Sequence, residues 1–193
     1  IADEVIAASG LKLLLWREVP IDTSALGAEA AARLPVMRQV LLGRPDGLDD
    51  DAFERLLYLT RKRLERKLYD LKLGAFYIPS FSHRTLAYKG LMVAPQLPRF
   101  YKDLADPDYE TAIAVFHQRY STNTMPRWSL AQPFRFLAHN GEINTLQGNV
   151  NFMRAREAVL ASEVWGDDVK DLLPVIQPGG SDSAALDNAY ELL

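Results

Sequence analysis

The sequence predicts a single domain of mixed helical and strand content, an α+β fold rather than a purely parallel sheet. Three observations carry that expectation. Short apolar runs bounded by Gly, Pro and Asn recur along the chain, as strands do. Two of them flank His83-Arg84 as a hairpin, which demands antiparallel pairing. Helical periodicities lie between and after these runs. A length of 193 residues suits one domain with its own core, so residues 1–193 are read as part of a single domain.

Leu11 to Arg17 reads as a buried strand, preceded by Gly10 and closed by Pro20. Ala25 to Ala32 reads as a short helix ending before Pro35. Residues 35–42 read as extended, followed by a turn at Gly43-Arg44-Pro45-Asp46-Gly47. Asp49 to Leu71 is the clearest helix. Phe53, Leu56, Leu57, Leu64, Leu68 and Leu71 follow a 3.6-residue period, and Asp49, Asp50 and Asp51 sit at the positive end of its dipole. Asp51–Arg55 and Arg61–Glu65 are i,i+4 pairs. The charged run from Arg61 to Lys67 reads as a solvated face, because acidic residues are interleaved.

Residues 75–82 and 85–92 form the expected hairpin, and Pro95 and Pro98 then break the pattern. Thr111 to Gln118 alternates as a strand, and residues 119–133 read as a loop. Phe134 to Ala138 reads as a strand running into His139-Asn140-Gly141. Asn144 is placed to cap the next helix, with Gln147 completing a capping box, and Leu146, Val150, Met153 and Leu160 share a face. Gly179-Gly180-Ser181-Asp182 leads into a last helix.

Composition excludes several function classes. Twenty-two basic and 25 acidic residues give a net charge of −3, so no cationic surplus supports nucleic-acid binding. Three histidines and no cysteine argue against a structural zinc or iron–sulfur site in this chain and exclude a disulfide framework. The lack of cysteine is compatible with the cytosol. No apolar stretch approaches the 18 residues of a membrane span. The first residues lack the basic n-region of a signal peptide, and both ends read as cuts inside a longer protein.

Three polar segments could carry chemistry. Arg119-Tyr120-Ser121-Thr122-Asn123-Thr124 places a guanidinium among small hydroxyl and amide side chains, suited to a planar carboxylate. A surface arginine beside a polar loop is the plain alternative. His139-Asn140-Gly141-Glu142 could be a tight turn, since Asn and Gly tolerate positive φ. It could equally aim the Asn140 amide and the Gly141 N–H at one developing negative oxygen. His139 itself reads more simply as a core residue than as a base. Gly179-Gly180-Ser181-Asp182-Ser183 is either a helix N-cap or a carboxylate that holds a ligand ammonium; the lysine and spacing of a phosphate loop are missing. Together they offer a cation for a carboxylate, an anion for an ammonium and an oxyanion hole. That set fits an α-amino acid attacked at its side-chain carbonyl, with glutamine the natural candidate. A nucleophile is not evident.

His117-Gln118-Arg119-Tyr120-Ser121-Thr122-Asn123-Thr124, Ala138-His139-Asn140-Gly141-Glu142-Ile143-Asn144-Thr145, Gly148-Asn149-Val150-Asn151 and Ala155-Arg156-Glu157 closely resemble the class II glutamine amidotransferase domain of glutamate synthase large subunits. Trp16-Arg17-Glu18-Val19-Pro20, Ser82-His83-Arg84-Thr85, Tyr88-Lys89-Gly90 and Ser181-Asp182-Ser183-Ala184 are similar to the same family. The resemblance covers nearly the whole chain. It implies an N-terminal-nucleophile fold, four-layered αββα with antiparallel sheets, here incomplete at both ends. It implies that Arg119 grips the glutamine α-carboxylate with Thr122 and Asn123 nearby, that Asp182 holds the α-ammonium, and that Asn140 and Gly141 form the oxyanion hole.

The family's nucleophile is an N-terminal cysteine whose own amine acts as base, giving a glutamyl thioester and ammonia. That cysteine is expected upstream of Ile1, so the chain alone is expected to be inactive. No cofactor is expected in this segment. FMN and an iron–sulfur cluster are implied for the full-length cytoplasmic enzyme, where ammonia reaches 2-oxoglutarate. Glutamine, the remaining large-subunit domains and a small NADPH-binding subunit are the implied partners, with the electron donor open between nicotinamide and ferredoxin. Two other readings stay open: a class II amidotransferase with a different ammonia acceptor, and a non-catalytic glutamine-binding or interaction module of the same fold.

Overall fold

A computed structural model describes residues 1–73, 76–119 and 125–193. Its longest element, α3 (Asp50–Asp70), begins where Asp49 accepts a hydrogen bond from the Ala52 N–H at 2.7 Å, satisfying one orphan donor of the first turn. Phe53, Leu57, Leu64 and Leu68 are buried along it, as their spacing predicts. A helix not anticipated from sequence, α1 (Ala2–Ala8), packs on it: Val5 joins Leu64, Leu68 and Ile78, and Ile6 joins Leu11, Phe53 and Leu57.

Strands β1 (Lys12–Glu18) and β2 (Arg38–Gly43) pair antiparallel, from Lys12 opposite Gly43 to Glu18 opposite Arg38, with an irregularity between Leu13 and Leu15. Leu13, Val40 and Leu42 face the helical core. Leu14, Leu15 and Trp16 are exposed, so β1 is half covered, not a fully buried strand. Between the strands lie a 3₁₀ turn at residues 23–25 and α2 (Ala28–Ala32). A further core forms where Ala25, Phe100 of α4 (Leu97–Phe100) and Tyr101 meet.

Four expected strands differ. No ladder joins residues 76–82 to 85–92; the Ser82 hydroxyl instead takes the N–H groups of Arg84 and Thr85, and the Ser80 hydroxyl takes that of Ala87. Residues 111–118 are not in a ladder among the described residues, and Ile113, Val115 and Phe116 are exposed. Residues 134–138 are irregular with a bend at 135–136, and the Phe134 N–H bonds to the Leu137 carbonyl at 2.9 Å. What persists of the α+β expectation among the described residues is the helices and one antiparallel strand pair.

The expected solvated face of α3 is also corrected. Arg61 and Lys62 are 2 % and 4 % exposed. Arg61 bridges Glu65 at 2.8 Å and Glu191 at 2.7 Å, and Lys62 donates to the Pro174 carbonyl at 2.6 Å. Asp51 pairs with Arg84 rather than Arg55. In helix α5 (Leu146–Glu157) the N-cap position is Thr145 at φ 59°, not Asn144, its side chain makes no capping bond, and none of the helix residues is buried. No helix among the described residues is long and apolar enough to cross a membrane.

Candidate functional site

Helix α6 (Asp182–Leu192) organises the site. Ser181 caps it by accepting the Ala184 N–H at 3.1 Å. This leaves Asp182 as the first helical residue, at the positive end of the dipole. The residue is 8 % exposed. One carboxylate oxygen accepts the Ser183 N–H at 2.7 Å, and the other accepts the Ile143 N–H at 2.8 Å. The second bond ties Asp182 to the loop that carries Asn140 and Gly141.

A further contact joins that loop to the arginine segment. His117 Nε2 lies 2.7 Å from Asn140 Oδ1, and His117 Nδ1 accepts the Arg119 backbone N–H at 3.1 Å. A ring nitrogen that accepts carries no proton, so Nε2 bears the hydrogen and donates to the Asn140 oxygen. The Asn140 amide nitrogen is thereby turned away from the ring. Asn140, Gly141 and Arg119 are all exposed. Neither Asn140 nor Gly141 has positive φ, so the pair does not use the left-handed conformations that Asn and Gly tolerate. A Cβ on Gly141 would come within 3.2 Å of the His139 ring.

His139 is held by its backbone: its N–H donates to Gln132 Oε1 at 2.7 Å and its carbonyl accepts from Gln132 Nε2 at 3.0 Å. The residue is half-buried, and its Nδ1 is buried with no hydrogen bond among the described residues. Sequence reasoning missed His117 and Gln132 as part of the site. Their signal is only that each is a polar side chain on the flank of a recognised segment. Thr122 and Asn123 lie outside the described residues.

The arrangement therefore brings Asp182, Ile143, Asn140, His117 and the Arg119 backbone into one connected set. It offers a buried carboxylate and an exposed amide, next to an exposed arginine. The family model for the class-II glutamine amidotransferases matches residues 1–193. The chain belongs to the class-II glutamine amidotransferases. It is 46 % identical over 193 residues to the glutamate synthase [NADPH] large chain of Azospirillum brasilense, covering 100 % of this chain and 13 % of that protein. It is 45 % identical over 189 residues to the glutamate synthase [NADPH] large chain of Bacillus subtilis, covering 97 % of this chain and 12 % of the relative. It is 44 % identical over 196 residues to ferredoxin-dependent glutamate synthase 1 of Arabidopsis thaliana, covering 100 % and 12 %. The chain thus spans about one-eighth of the length of these relatives. Within the family, an N-terminal-nucleophile fold is implied for this class-II amidotransferase domain.

Proposed function

We propose that this chain is the substrate-holding part of a glutaminase domain in a glutamate synthase, built on the four-layer αββα fold. The observation that carries the reading is the orientation of Asn140. With its oxygen taken by His117, its amide nitrogen is a donor facing an open surface, beside the Gly141 backbone. In this reading both donors stabilise the oxygen of the glutamine side-chain amide as negative charge develops there, where a preorganised donor has its greatest effect. Asp182 holds the α-ammonium, and its burial strengthens that contact. Arg119 takes the α-carboxylate with two parallel hydrogen bonds, assisted by Thr122 and Asn123.

The attacking thiolate is supplied from outside these residues, because the chain contains no cysteine. Attack on the amide carbon expels ammonia and leaves a glutamyl thioester, which water cleaves to glutamate. Ammonia is then used on 2-oxoglutarate by other domains of the large subunit in the cytoplasm, with the electron donor open between nicotinamide, through a small NADPH-binding subunit, and ferredoxin. FMN and an iron–sulfur cluster belong to those other parts. The donor set here does not fit a cluster, since no thiolate is present.

The test is glutamine hydrolysis by the complete natural polypeptide and its Arg119→Lys variant. Lysine keeps the charge but loses the fork, so the glutamine KM should rise by about ten-fold or more. An unchanged KM contradicts the carboxylate role. The 193-residue chain alone should release no ammonia from glutamine, and measurable turnover by it contradicts the assignment of the nucleophile elsewhere.

A further inference from the structure

Residues 135–143 follow an irregular path with no strand beside them among the described residues, yet they are fastened at several backbone points. Asp187, on α6, is 1 % exposed. Its carboxylate accepts three consecutive backbone N–H groups: Phe136 at 2.8 Å and Leu137 at 3.1 Å on one oxygen, and Arg135 at 3.3 Å on the other. Gln132, 7 % exposed, bonds both the N–H and the carbonyl of His139. That is the pattern a neighbouring strand's peptide would supply. Asp182 holds Ile143. The loop is therefore fixed at 135–137, at 139 and at 143, and Asn140 and Gly141 lie between the fixed points.

A buried carboxylate is costly unless its lone pairs are occupied. Among the described residues Asp187 meets that need with the backbone of this one loop, and a side-chain amide that pairs twice with a single residue likewise fixes position rather than adding core volume. Such fixation matters most where a donor must already be in place as charge develops, since a shift of about 1 Å can cost about 10²-fold in rate.

We propose that Asp187 and Gln132 are positioning residues for amide hydrolysis, holding the loop so that Asn140 and Gly141 present their donors in register to one oxygen. The inference rests on the glutaminase reading above and assigns that reading two residues which touch no substrate.

The experiment measures glutamine hydrolysis by the complete natural polypeptide carrying Asp187→Asn, Gln132→Leu or Gln132→Glu, with rates expressed per active site titrated by an electrophilic glutamine analogue. Asp187→Asn and Gln132→Leu should lower kcat by about ten-fold or more with KM little changed. Gln132→Glu, which keeps the acceptor for the His139 N–H, should recover part of the loss. A residue needed only for folding would reduce the number of titratable sites and leave kcat per site intact; that result, or a raised KM at unchanged kcat, overturns the proposal. Should Asp187→Asn fail to fold, the two Gln132 variants decide in the same terms. A parent protein that does not hydrolyse glutamine contradicts the glutaminase reading itself, whereas an active parent with unaffected variants contradicts only the positioning role.

Discussion

His117 Nε2 stands 2.7 Å from Asn140 Oδ1, and this one contact sets which end of the Asn140 amide faces outward. Because His117 Nδ1 is engaged as an acceptor by the Arg119 N–H, the imidazole cannot offer its lone pair to Asn140, and the amide oxygen is drawn to it. His117→Ala in the complete protein should free the amide to rotate and lower kcat for glutamine by about ten-fold, below the loss expected for removing the donor outright. His117→Asn, which offers a shorter donor, should be intermediate. Steady-state kinetics check this, and wild-type kcat in His117→Ala would remove His117 from the account.

The buried charges around α3 predict a stability effect. Burial alone would raise the Glu65 carboxyl, but Arg61 and Arg135 outweigh it and hold that group below the ordinary range. Arg61 touches both Glu65 and Glu191; Arg135 touches the same two, at 3.1 and 3.4 Å. Arg61→Met would leave two buried carboxylates sharing one cation, and should destabilise the fold by about 3–5 kcal/mol. Denaturant unfolding measures this. A loss below about 1 kcal/mol would show that the network contributes no more than a surface pair.

Much of the scaffold was legible in the sequence. Helix α3 with its acidic start, the turn at 43–47, the extended segments of β1 and β2, and the Ser181-Asp182 start of α6 all rest on local rules of period, capping and turn chemistry. The misreadings share a cause. Residues 134–138 alternate like a strand, but Asp187, some fifty residues on, takes the N–H groups a ladder would need. Arg61 looks like a surface residue until Glu191, 130 positions away, meets it. Such long-range side-chain contacts leave no trace in a local pattern. In the candidate site, Asp182 and the Asn140-Gly141 pair were legible as residue types in suggestive places. Gln132 and Asp187 were not, because their roles are to hold backbone.

Lys89 carries a pH signature. It is buried, donates to the Tyr77 hydroxyl at 3.2 Å and the Ser129 carbonyl at 3.0 Å, and lies over the Tyr77 and Phe134 rings. Burial, with the nearby Arg135 cation adding to it and Asp187 opposing, pushes its amine down to about 7. The folded state then binds fewer protons than the unfolded state between about pH 7 and the ordinary lysine value of 10.5. Stability should therefore rise with pH across that window, by up to roughly 1.4 kcal/mol per pH unit, and be lowest below it, where the buried amine is charged. Lys62, pushed down to about 8 by burial, adds in the same direction over the upper part. Unfolding free energies from pH 6 to 10 should show a shallower slope in Lys89→Met than in the parent; parallel curves would mean that Lys89 keeps an ordinary affinity for its proton when folded.

The most direct test of the glutaminase account is the glutamine-dependent turnover of the complete protein carrying Asn140→Ala. Loss of an oxyanion donor should lower kcat by about 10²-fold or more while leaving the KM for glutamine nearly unchanged. Turnover equal to that of the parent would contradict the assignment of Asn140, and with it the reading of this chain as the part that holds glutamine for attack.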